Sequence, residues 1–435
     1  MKILSVILIL SILLTFICSC SPSASNAGAE TSAQEESAPT EINLKLDRFS
    51  IVYDSKSEYS FIPKLAETVS EIIESKTGAK IQVLEDENEQ ELEILIGKCN
   101  RKEFKQHPKN LLFRDFFLYF ENNKLSVSAV SIYGYEQAIG YLLEGYTEDG
   151  LTIPKDGLLV SYDYGTGAYA EIYKNYENPY IEGSWVVNVC HRGDVVTNSY
   201  PENSIPSYQS CIDNKVDVIE IDLKKTRDNV WVLCHDSALN RTTNGKGYIW
   251  NYLYKDLKQY IYLKAANGGD DAPLTTYQIP TLEECIDLCK GKALLNLDHI
   301  SSDIFDEIYS VFEAKDAVDI AMFKSSDMSA DQLTDWFCSL LVAEKKLPLY
   351  SPLLYGNNIS YQESFKGLTS MVETGSDHEP ATFYTAKTCN LRLMCLTALS
   401  PSLENNVYWS ILINKGFGAI MNDSPTKFSE LIHGN

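Results

Sequence analysis

The chain has 435 residues, of which 44% are hydrophobic and 22% are charged, so it is long enough for two folded domains with sizeable cores. Its formal net charge of −23 disfavours nucleic acid as a partner, because nucleic-acid-binding surfaces are basic. An anionic ligand would therefore be attracted by a local cation or a metal ion, and not by the field of the whole protein.

The N-terminus has the layout of a secretory signal, with apolar and Ser/Thr residues from Ile3 to Ile17. This run is short for a membrane span, which needs roughly 20 residues. Residues 17–20 (Ile-Cys-Ser-Cys) resemble a bacterial lipobox, so we expect residues 1–20 to be a lipoprotein signal peptide. Acyl chains on Cys20 would anchor an exported protein to the membrane, and residues 21–40 would be a flexible linker. An ordinary signal peptide cleaved nearby is the alternative.

Residues 41–165 alternate strand and helix signals and predict a small α/β domain. The stretch from Phe61 to Thr77 has helical periodicity and ends at Gly78, a residue typical of helix C-caps. The order of the elements, with the segment 93–101, resembles the non-catalytic N-terminal domain that precedes the barrel in several glycoside hydrolase families. Because residues 41–165 contain no cluster of His, Asp or Glu that looks catalytic, we expect an accessory domain that docks or spaces the barrel.

Residues 166–183 are rich in Tyr, Gly and Asn and predict a linker. Residues 184–435 then have the length of a (β/α)₈ TIM barrel. Helical segments separate most of its predicted strands, which are 185–190, 216–223, 230–234, 293–298, 318–323, 347–350, 391–397 and 417–421. The predicted fold class is thus α/β, a C-terminal barrel preceded by a small α/β domain. The nine cysteines after Cys20 are predicted to be small buried hydrophobes.

Three carboxylates are predicted to converge at the ends of these strands. Glu220 and Asp222 are two residues apart on one apolar strand, so their side chains point the same way, about 6.6 Å apart along the chain. Like charges in apolar surroundings repel unless a cation lies between them. Asp298 ends another apolar strand and could complete the group. Oxygen ligands without thiolates favour Mg²⁺ or Ca²⁺. The alternative for Glu220 and Asp222 is a solvated edge strand.

Two histidines follow predicted strands beside these carboxylates. His191 and His235 would lie at the top of adjacent barrel strands and are candidates for an acid/base pair. Arg192 provides a planar cationic fork suited to phosphate, although taken alone it would suit a surface ion pair. His299 is expected to point to the opposite face and receives no role. A metal, an arginine and two histidines suit attack on a phosphodiester.

The ordered series of motifs resembles the glycerophosphodiester phosphodiesterase family over the whole C-terminal barrel. The motifs are His191-Arg-Gly193, Pro201-Glu-Asn-Ser204, Glu220-Ile-Asp222, Thr226-Arg-Asp228, His235-Asp236, Leu239-Asn-Arg-Thr-Thr243, Ile279-Pro-Thr-Leu-Glu283, Asn296-Leu-Asp298 and Gly416-Phe-Gly-Ala-Ile-Met-Asn-Asp-Ser-Pro425.

This resemblance implies a TIM barrel and a role for each matching residue. It implies that His191 and His235 are the acid/base pair and that Arg192 binds phosphate. It also implies that a divalent cation is bound by Glu220, Asp222 and Asp298, and that residues 245–278 form a lid over the barrel mouth. In such enzymes a substrate hydroxyl beside the phosphate is expected to attack first, and water then opens the resulting cyclic phosphate.

The sequence departs from the family pattern at two positions. Asp298 stands where the family has Glu, and Ile300 stands where it has Lys. Lys324, at the end of a neighbouring predicted strand, could supply the missing phosphate-binding cation, or could be an ordinary solvated lysine. The reaction class is therefore better specified than the substrate.

The expected function is hydrolysis of lipid head-group diesters or of glycerophosphate-bearing glycans and polymers to an alcohol and a phosphomonoester. The expected partners are a phosphodiester substrate and a membrane, reached through lipidated Cys20. The alternative is a non-catalytic surface lipoprotein that binds polyol phosphates or glycans. A glycoside hydrolase would need a catalytic carboxylate pair, and the His191-Arg-Gly193 segment argues against it.

Overall fold

The computed structural model describes residues 41–103, 110–354, 358–398 and 400–434, and the part from Glu41 onward is one compact unit. The expected signal peptide, the lipidated Cys20 and the linker 21–40 lie outside the described residues. Among the helices that are described, none combines the length and the apolar character needed to cross a membrane.

The N-terminal region is built around a six-stranded sheet. Its elements are β1 (Glu41–Leu44), β2 (Ser50–Tyr53), α1 (Ile62–Thr77), β3 (Val83–Glu85), β4 (Glu93–Ile96), β5 (Phe116–Glu121), β6 (Lys124–Ala129), α2 (Ile132–Gly145), β7 (Tyr146–Thr147), β8 (Gly150–Pro154) and β9 (Leu158–Val160). The sheet order is β3-β2-β4-β6-β5-β9, with β2, β3, β4 and β6 parallel, and β1-β8-β7 form a small antiparallel sheet. The predicted small α/β domain is confirmed.

A helix, α3 (Ala168–Glu177), lies within the segment 166–183 that was predicted to be a linker. Its Tyr176 and Glu177 are buried, and Glu177 Oε1 accepts a hydrogen bond of 2.6 Å from Nε of Arg114. Residues 168–177 of the segment therefore form a packed helix, and the prediction of a linker is wrong for them. Its composition was misleading because its aromatic rings cover Arg114, whose guanidinium lies 5.3 Å from the ring of Tyr173.

The C-terminal part is a closed barrel of eight parallel strands, as predicted. Its barrel strands are β10 (Val187–Cys190), β11 (Val218–Lys225), β13 (Leu294–Asp298), β14 (Ala321–Ser325), β15 (Leu349–Leu354), β16 (Met371–Thr374), β17 (Arg392–Leu396) and β18 (Ala419–Asn422), closed by pairing of β10 with both β11 and β18. Its helices are α4 (Ile205–Asp213), α5 (Tyr254–Tyr260), α6 (Leu282–Cys289), α7 (Phe305–Ala314), α8 (Ala330–Val342), α9 (Ile359–Ser364), α10 (Pro380–Thr388), α11 (Asn406–Lys415) and α12 (Pro425–His433).

One predicted barrel strand is wrong and another was missed. Residues 230–234 contain β12 (Trp231–Leu233), which pairs antiparallel with the far end of β11 and lies outside the barrel wall. The true eighth strand, Met371–Thr374, is short and carries Glu373 and Thr374, so it lacks the apolar run that marks the other strands. All nine described cysteines are free and buried, as predicted.

The buried ion pair between Arg114 and Glu177 generates a prediction about stability. Removing one partner of a buried ion pair typically costs about 3–5 kcal/mol, and Arg114 would keep only its 3.4 Å ion pair with Glu136. We expect Glu177→Gln to lower the free energy of unfolding by about 3 kcal/mol in urea denaturation. The matched control is Glu313→Gln, which breaks a 2.8 Å pair with Lys345 whose two side chains are 36% and 42% exposed. That change should cost under about 1 kcal/mol, and equal losses in the two variants would contradict the assignment.

Candidate active site

The carboxyl ends of the barrel strands bring together most of the residues selected from the sequence. His191 follows β10, Glu220 and Asp222 lie in β11, and Asp298 is the last residue of β13. Because β11 and β13 are parallel neighbours, Asp222 stands directly opposite Asp298 in the register. Ligands bind at this end of such barrels because the loops that follow the strands meet there.

Glu220, Asp222 and Asp298 each place a carboxylate oxygen within 4.8 Å of the others. Glu220 and Asp222 are 1% and 0% exposed, so water cannot screen their mutual repulsion. Burial, followed by the charges of Asp222 and Asp298, raises the pKa of Glu220 well above its ordinary value. The predicted convergence of the three carboxylates is thus present in the structure.

Several buried polar atoms beside these carboxylates lack a hydrogen-bond partner among the described residues. They are Oε1 of Glu220, Oδ1 of Asp222 and both side-chain heteroatoms of Asn296, the residue opposite Glu220 on β13. Leaving such atoms buried and unpaired costs free energy, so a ligand or ion is their natural complement. Hard oxygen donors at this spacing fit a divalent cation of the Mg²⁺ or Ca²⁺ type.

A strained loop places Arg192 over the carboxylates. Arg192 and Gly193 both have left-handed backbones, with φ of 58° and 95°. The Arg192 amide donates a 2.9 Å hydrogen bond to Oε2 of Glu220, and its Nε lies 3.4 Å from Oδ2 of Asp222. A Cβ at Gly193 would lie 2.2 Å from Oγ of Ser207, so only glycine fits. The loop therefore aims a guanidinium at the same point as the carboxylates.

Lys324 lies in β14 and reaches this group, although its surroundings differ from those expected. It is 2% exposed, and its Nζ lies 2.6 Å from Oδ2 of Asp298 and 3.0 Å from Oε2 of Glu373. The solvated alternative is therefore wrong. Burial opposes ionisation of Asp298, but the charge and hydrogen bond of Lys324 outweigh it and hold the pKa of that carboxyl at about 2. Glu373 was missed because its strand was missed, and the phosphate contact of Lys324 stays a prediction.

His191 is held by a carboxylate from the last strand of the barrel. Its amide donates to the carbonyl of Asn422 over 2.9 Å, and its Nδ1 lies 2.8 Å from Oδ1 of Asp423. The Asp423 amide in turn donates to Oε2 of Glu404 over 3.1 Å. A carboxylate at Nδ1 fixes the ring orientation and leaves Nε2 free for proton transfer. The Asn422-Asp423 pair after an apolar strand was the sequence signal for this partner.

His235 reaches the site by a different route from that predicted, because it does not follow a barrel strand. The hairpin of β11 and β12 turns the chain back, and the Cys234 amide donates to the Asp222 carbonyl over 2.9 Å. Nδ1 of His235 lies 2.7 Å from Oδ1 of Asp236. Hydrogen bonds from Arg241 hold the pKa of Asp236 well below its usual range. Each candidate histidine is thus fixed by its own aspartate.

Two further residues near Asp222 were given no role from the sequence. Asn203, with φ of 52°, donates from Nδ2 to Oδ2 of Asp222 over 2.7 Å and accepts the Asp222 amide at its Oδ1. His299 does not point away: its backbone is left-handed, with φ of 59°, and its Nε2 lies 3.5 Å from Oδ1 of Asp222. Strand alternation fails for His299 because the strand ends at Asp298.

The segment 245–278, which was predicted to form a lid, contacts the loop that follows β10. The Glu202 amide donates to the carbonyl of Ala266 over 3.0 Å, and the Ala266 amide donates to Ser199 over 3.1 Å. These bonds join the segment to the loop that follows β10. Tyr248 and Trp250 stack on its outside with ring centroids 4.6 Å apart. Whether the segment closes over a substrate stays a prediction.

Comparison with known proteins finds similarity in the part of the chain that contains these site residues. Residues 191–350 match the model of the "Glycerophosphoryl diester phosphodiesterase family". A glycerophosphodiester phosphodiesterase of Bacillus subtilis (strain 168) is 34% identical over 109 residues, which is 23% of this chain and 36% of the relative. A glycerophosphodiester phosphodiesterase of Caldanaerobacter subterraneus is 31% identical over 119 residues, 27% of this chain and 45% of the relative. The chain thus spans less than half the length of these relatives.

Among solved structures, a glycerophosphoryl diester phosphodiesterase from Parabacteroides distasonis is 22% identical, with a TM-score of 0.49 over 61% of this chain and 92% of that chain. The family match includes His191, Glu220, Asp222, His235, Asp298 and Lys324 within its bounds. The family match confirms the resemblance for residues 191–350.

The ion pairs of Lys324 predict a pH-dependent loss of stability in Lys324→Met. The lowered pKa of Asp298 stabilises the folded state at pH values above the pKa of an unfolded Asp, which is about 3.9. This stabilisation is lost as the pH falls through the folded-state pKa of about 2. Without Lys324, the pKa of Asp298 rises and the folded state takes up a proton at higher pH. We expect the variant to lose about 3 kcal/mol at pH 7 and less at pH 4, in urea denaturation with chelator present.

The matched control for this experiment is Lys315→Met, which breaks the exposed pair that Lys315 forms with Asp287 at 2.7 Å. It should change the free energy of unfolding by less than about 1 kcal/mol at both pH values. A loss in Lys324→Met that is the same at pH 7 and pH 4 would show that the carboxylates do not depend on this lysine.

Proposed function

We propose that this chain, whose barrel belongs to the glycerophosphoryl diester phosphodiesterase family, is a metal-dependent phosphodiesterase that acts on glycerophosphodiesters. The observation that carries the proposal is one cluster: three carboxylates within 4.8 Å, with buried unpaired oxygens on two of them, beside Arg192. Two histidines, each fixed by an aspartate, flank this cluster. The substrates are lipid head-group diesters or glycerophosphate-bearing glycans and polymers.

Glu220, Asp222 and Asp298 would hold the divalent cation, which when bound neutralises phosphoryl oxygens as a Lewis acid. The guanidinium of Arg192 binds the remaining phosphate charge, because its planar fork matches phosphate geometry. Lys324 keeps Asp298 ionised and adds positive charge on the β14 side. Asn203 and the Arg192 amide hold Asp222 and Glu220 in place, so their oxygens need no reorganisation during the reaction.

His191 and His235 move the protons. One takes the proton from the glycerol hydroxyl beside the phosphate, which forms a cyclic phosphate as it attacks. The other donates a proton to the departing alcohol, and the pair then exchange these tasks when water opens the ring. The vicinal hydroxyl already lies close to the phosphorus, so little entropy is lost in reaching attack geometry. Asp423 and Asp236 stabilise each imidazole when it is charged.

Export and anchoring belong to the same proposal. Residues 1–20 would direct secretion, and acyl chains on Cys20 would hold the enzyme at a membrane surface. A membrane-held enzyme would meet lipid-derived or wall-derived diesters directly, in keeping with the proposed substrates.

The test is a release assay on glycerophosphocholine, glycerophosphoethanolamine, glycerophosphoinositol and a polyglycerophosphate, with Mg²⁺ or Ca²⁺. We expect turnover of at least one diester and a fall in kcat of about 10²–10⁴-fold in His191→Ala and in His235→Ala. The control is His433→Ala, at the exposed end of α12, which should keep full activity. Activity that survives in the double variant, which combines His191→Ala with His235→Ala, would refute the acid/base roles. Binding of these diesters without turnover would instead support a non-catalytic binding lipoprotein.

A further inference from the structure

We infer that Asp222, His235 and His299 form a second cation site, suited to a borderline-soft ion such as Zn²⁺, and that an ion bound there inhibits the enzyme. The inhibition rests on the proposed function, whereas the binding site does not. Each of the three residues offers a ligand atom within 4.8 Å of the other two. The site adjoins the carboxylate cluster and shares Asp222 with it.

The separation of His299 and Asp222 already matches a zinc site. Zinc-to-nitrogen and zinc-to-oxygen bonds of about 2.0–2.1 Å place tetrahedral ligand atoms ~3.3 Å apart. Nε2 of His299 lies 3.5 Å from Oδ1 of Asp222. The rings of His235 and His299 meet edge to face with centroids 4.5 Å apart and planes at 77°. Both imidazoles are therefore next to one buried carboxylate oxygen.

That carboxylate oxygen, which Asp222 also contributes to the carboxylate cluster, faces the two histidines and is itself a sign of a ligand. Asp222 is fully buried, and its Oδ2 is taken by Asn203. Its Oδ1 has no hydrogen-bond partner in the part of the chain that the structure describes. A buried carboxylate oxygen without a donor is costly, so the atom facing His299 is built to meet a cation.

The second histidine is prepared as a metal ligand in the usual way. Histidines that bind metals commonly donate the N–H of the other ring nitrogen to a carboxylate, which fixes the tautomer. Nδ1 of His235 lies 2.7 Å from Oδ1 of Asp236, so Nε2 is the nitrogen left to bind an ion. Asp236 is itself held by Arg241 at 2.7 Å.

The backbone at His299 is arranged to turn its ring inward. A left-handed backbone is uncommon for a residue other than glycine and costs energy, and such residues concentrate at functional sites. With φ of 59°, His299 donates its amide to Oδ1 of Asp298 over 2.6 Å while its ring faces Asp222. One strained residue thus serves both cation sites, the carboxylate site through its backbone and the mixed site through its ring.

The two sites differ in the ions that they favour. Three carboxylates favour hard ions such as Mg²⁺ and Ca²⁺, whereas two imidazoles with one carboxylate favour Zn²⁺ and similar ions. An ion on Nε2 of His235 occupies the lone pair that the proposed reaction needs for proton transfer. Zinc would therefore stop turnover by binding beside the cation that Glu220, Asp222 and Asp298 hold, with Asp222 as the ligand that the two ions share.

The experiment measures zinc inhibition of the Mg²⁺-saturated or Ca²⁺-saturated enzyme and compares it with His299→Asn. Asparagine tolerates the left-handed backbone and keeps the amide that holds Asp298, but it lacks the imidazole. Relative to its own zinc-free rate, the variant should need at least about 10-fold more zinc for half inhibition. The control His433→Asn should behave as the wild type.

Calorimetric titration of zinc into the same Mg²⁺-loaded or Ca²⁺-loaded proteins gives a readout that does not depend on turnover. Wild type should bind one zinc ion and retain its hard cation, and His299→Asn should lose that zinc binding. Equal zinc sensitivity in the two proteins, or release of the hard cation as zinc binds, would overturn the second site. An inactive wild type that still binds zinc through His299 would refute the proposed function alone.

Discussion

Mutual repulsion among buried carboxylates is the constraint around which the barrel mouth is organised. Glu220 and Asp222 lie on one face of β11 with essentially no exposure, and Asp298 stands opposite Asp222 on the next strand. Such a group destabilises the fold at neutral pH unless positive charge is supplied. The protein supplies positive charge through Lys324 and Arg192, and one oxygen of Glu220 and one of Asp222 still have no hydrogen-bond partner among the described residues. In the proposed function a divalent cation completes the balance, and the same charge suits a phosphodiester.

The relation between Lys324 and Asp298 explains how the chain departs from the pattern of the family that it resembles and still places a lysine beside the third carboxylate. The family pattern places a lysine two residues after the third carboxylate, where this chain has Ile300. Here the lysine comes from the neighbouring strand β14 and crosses towards Glu373 on β16, past the small side chain of Ser351 on β15. The cation is therefore present at the site from a different position in the sequence. A lysine on the neighbouring strand thus takes the place of a lysine that would follow Asp298, within the same cluster of charged side chains.

Much of the fold and site could be predicted from the sequence, because apolar strands ending in ionisable residues are a strong signal. Seven of the eight barrel strands, the three carboxylates and His191 were located in this way. The strand with Glu373 was missed since its polar residues interrupt the apolar pattern, and β12 was misassigned since a hairpin strand has the same local composition as a barrel strand. His299 could not be predicted, because a single left-handed residue reverses the direction that strand alternation implies.

The pairing of His191 with Asp423 could not be predicted from either local pattern alone. Asp423 is 232 residues from His191 in the chain, and only closure of the barrel between β10 and β18 brings them together. The helix α3 was mistaken for a linker because its burial depends on Arg114, far away in the sequence. Long-range pairing of this kind is a property of the folded topology and is invisible in composition.

The claim that the carboxylate cluster is a metal centre required for catalysis is tested most directly on one metal-free preparation. Divalent cation bound per chain and turnover of a glycerophosphodiester would be measured together, first in chelator and then as Mg²⁺ or Ca²⁺ is added. The account predicts no turnover without metal, full recovery as one ion binds, and loss of both in Asp222→Asn. Full turnover by the metal-free protein would contradict it.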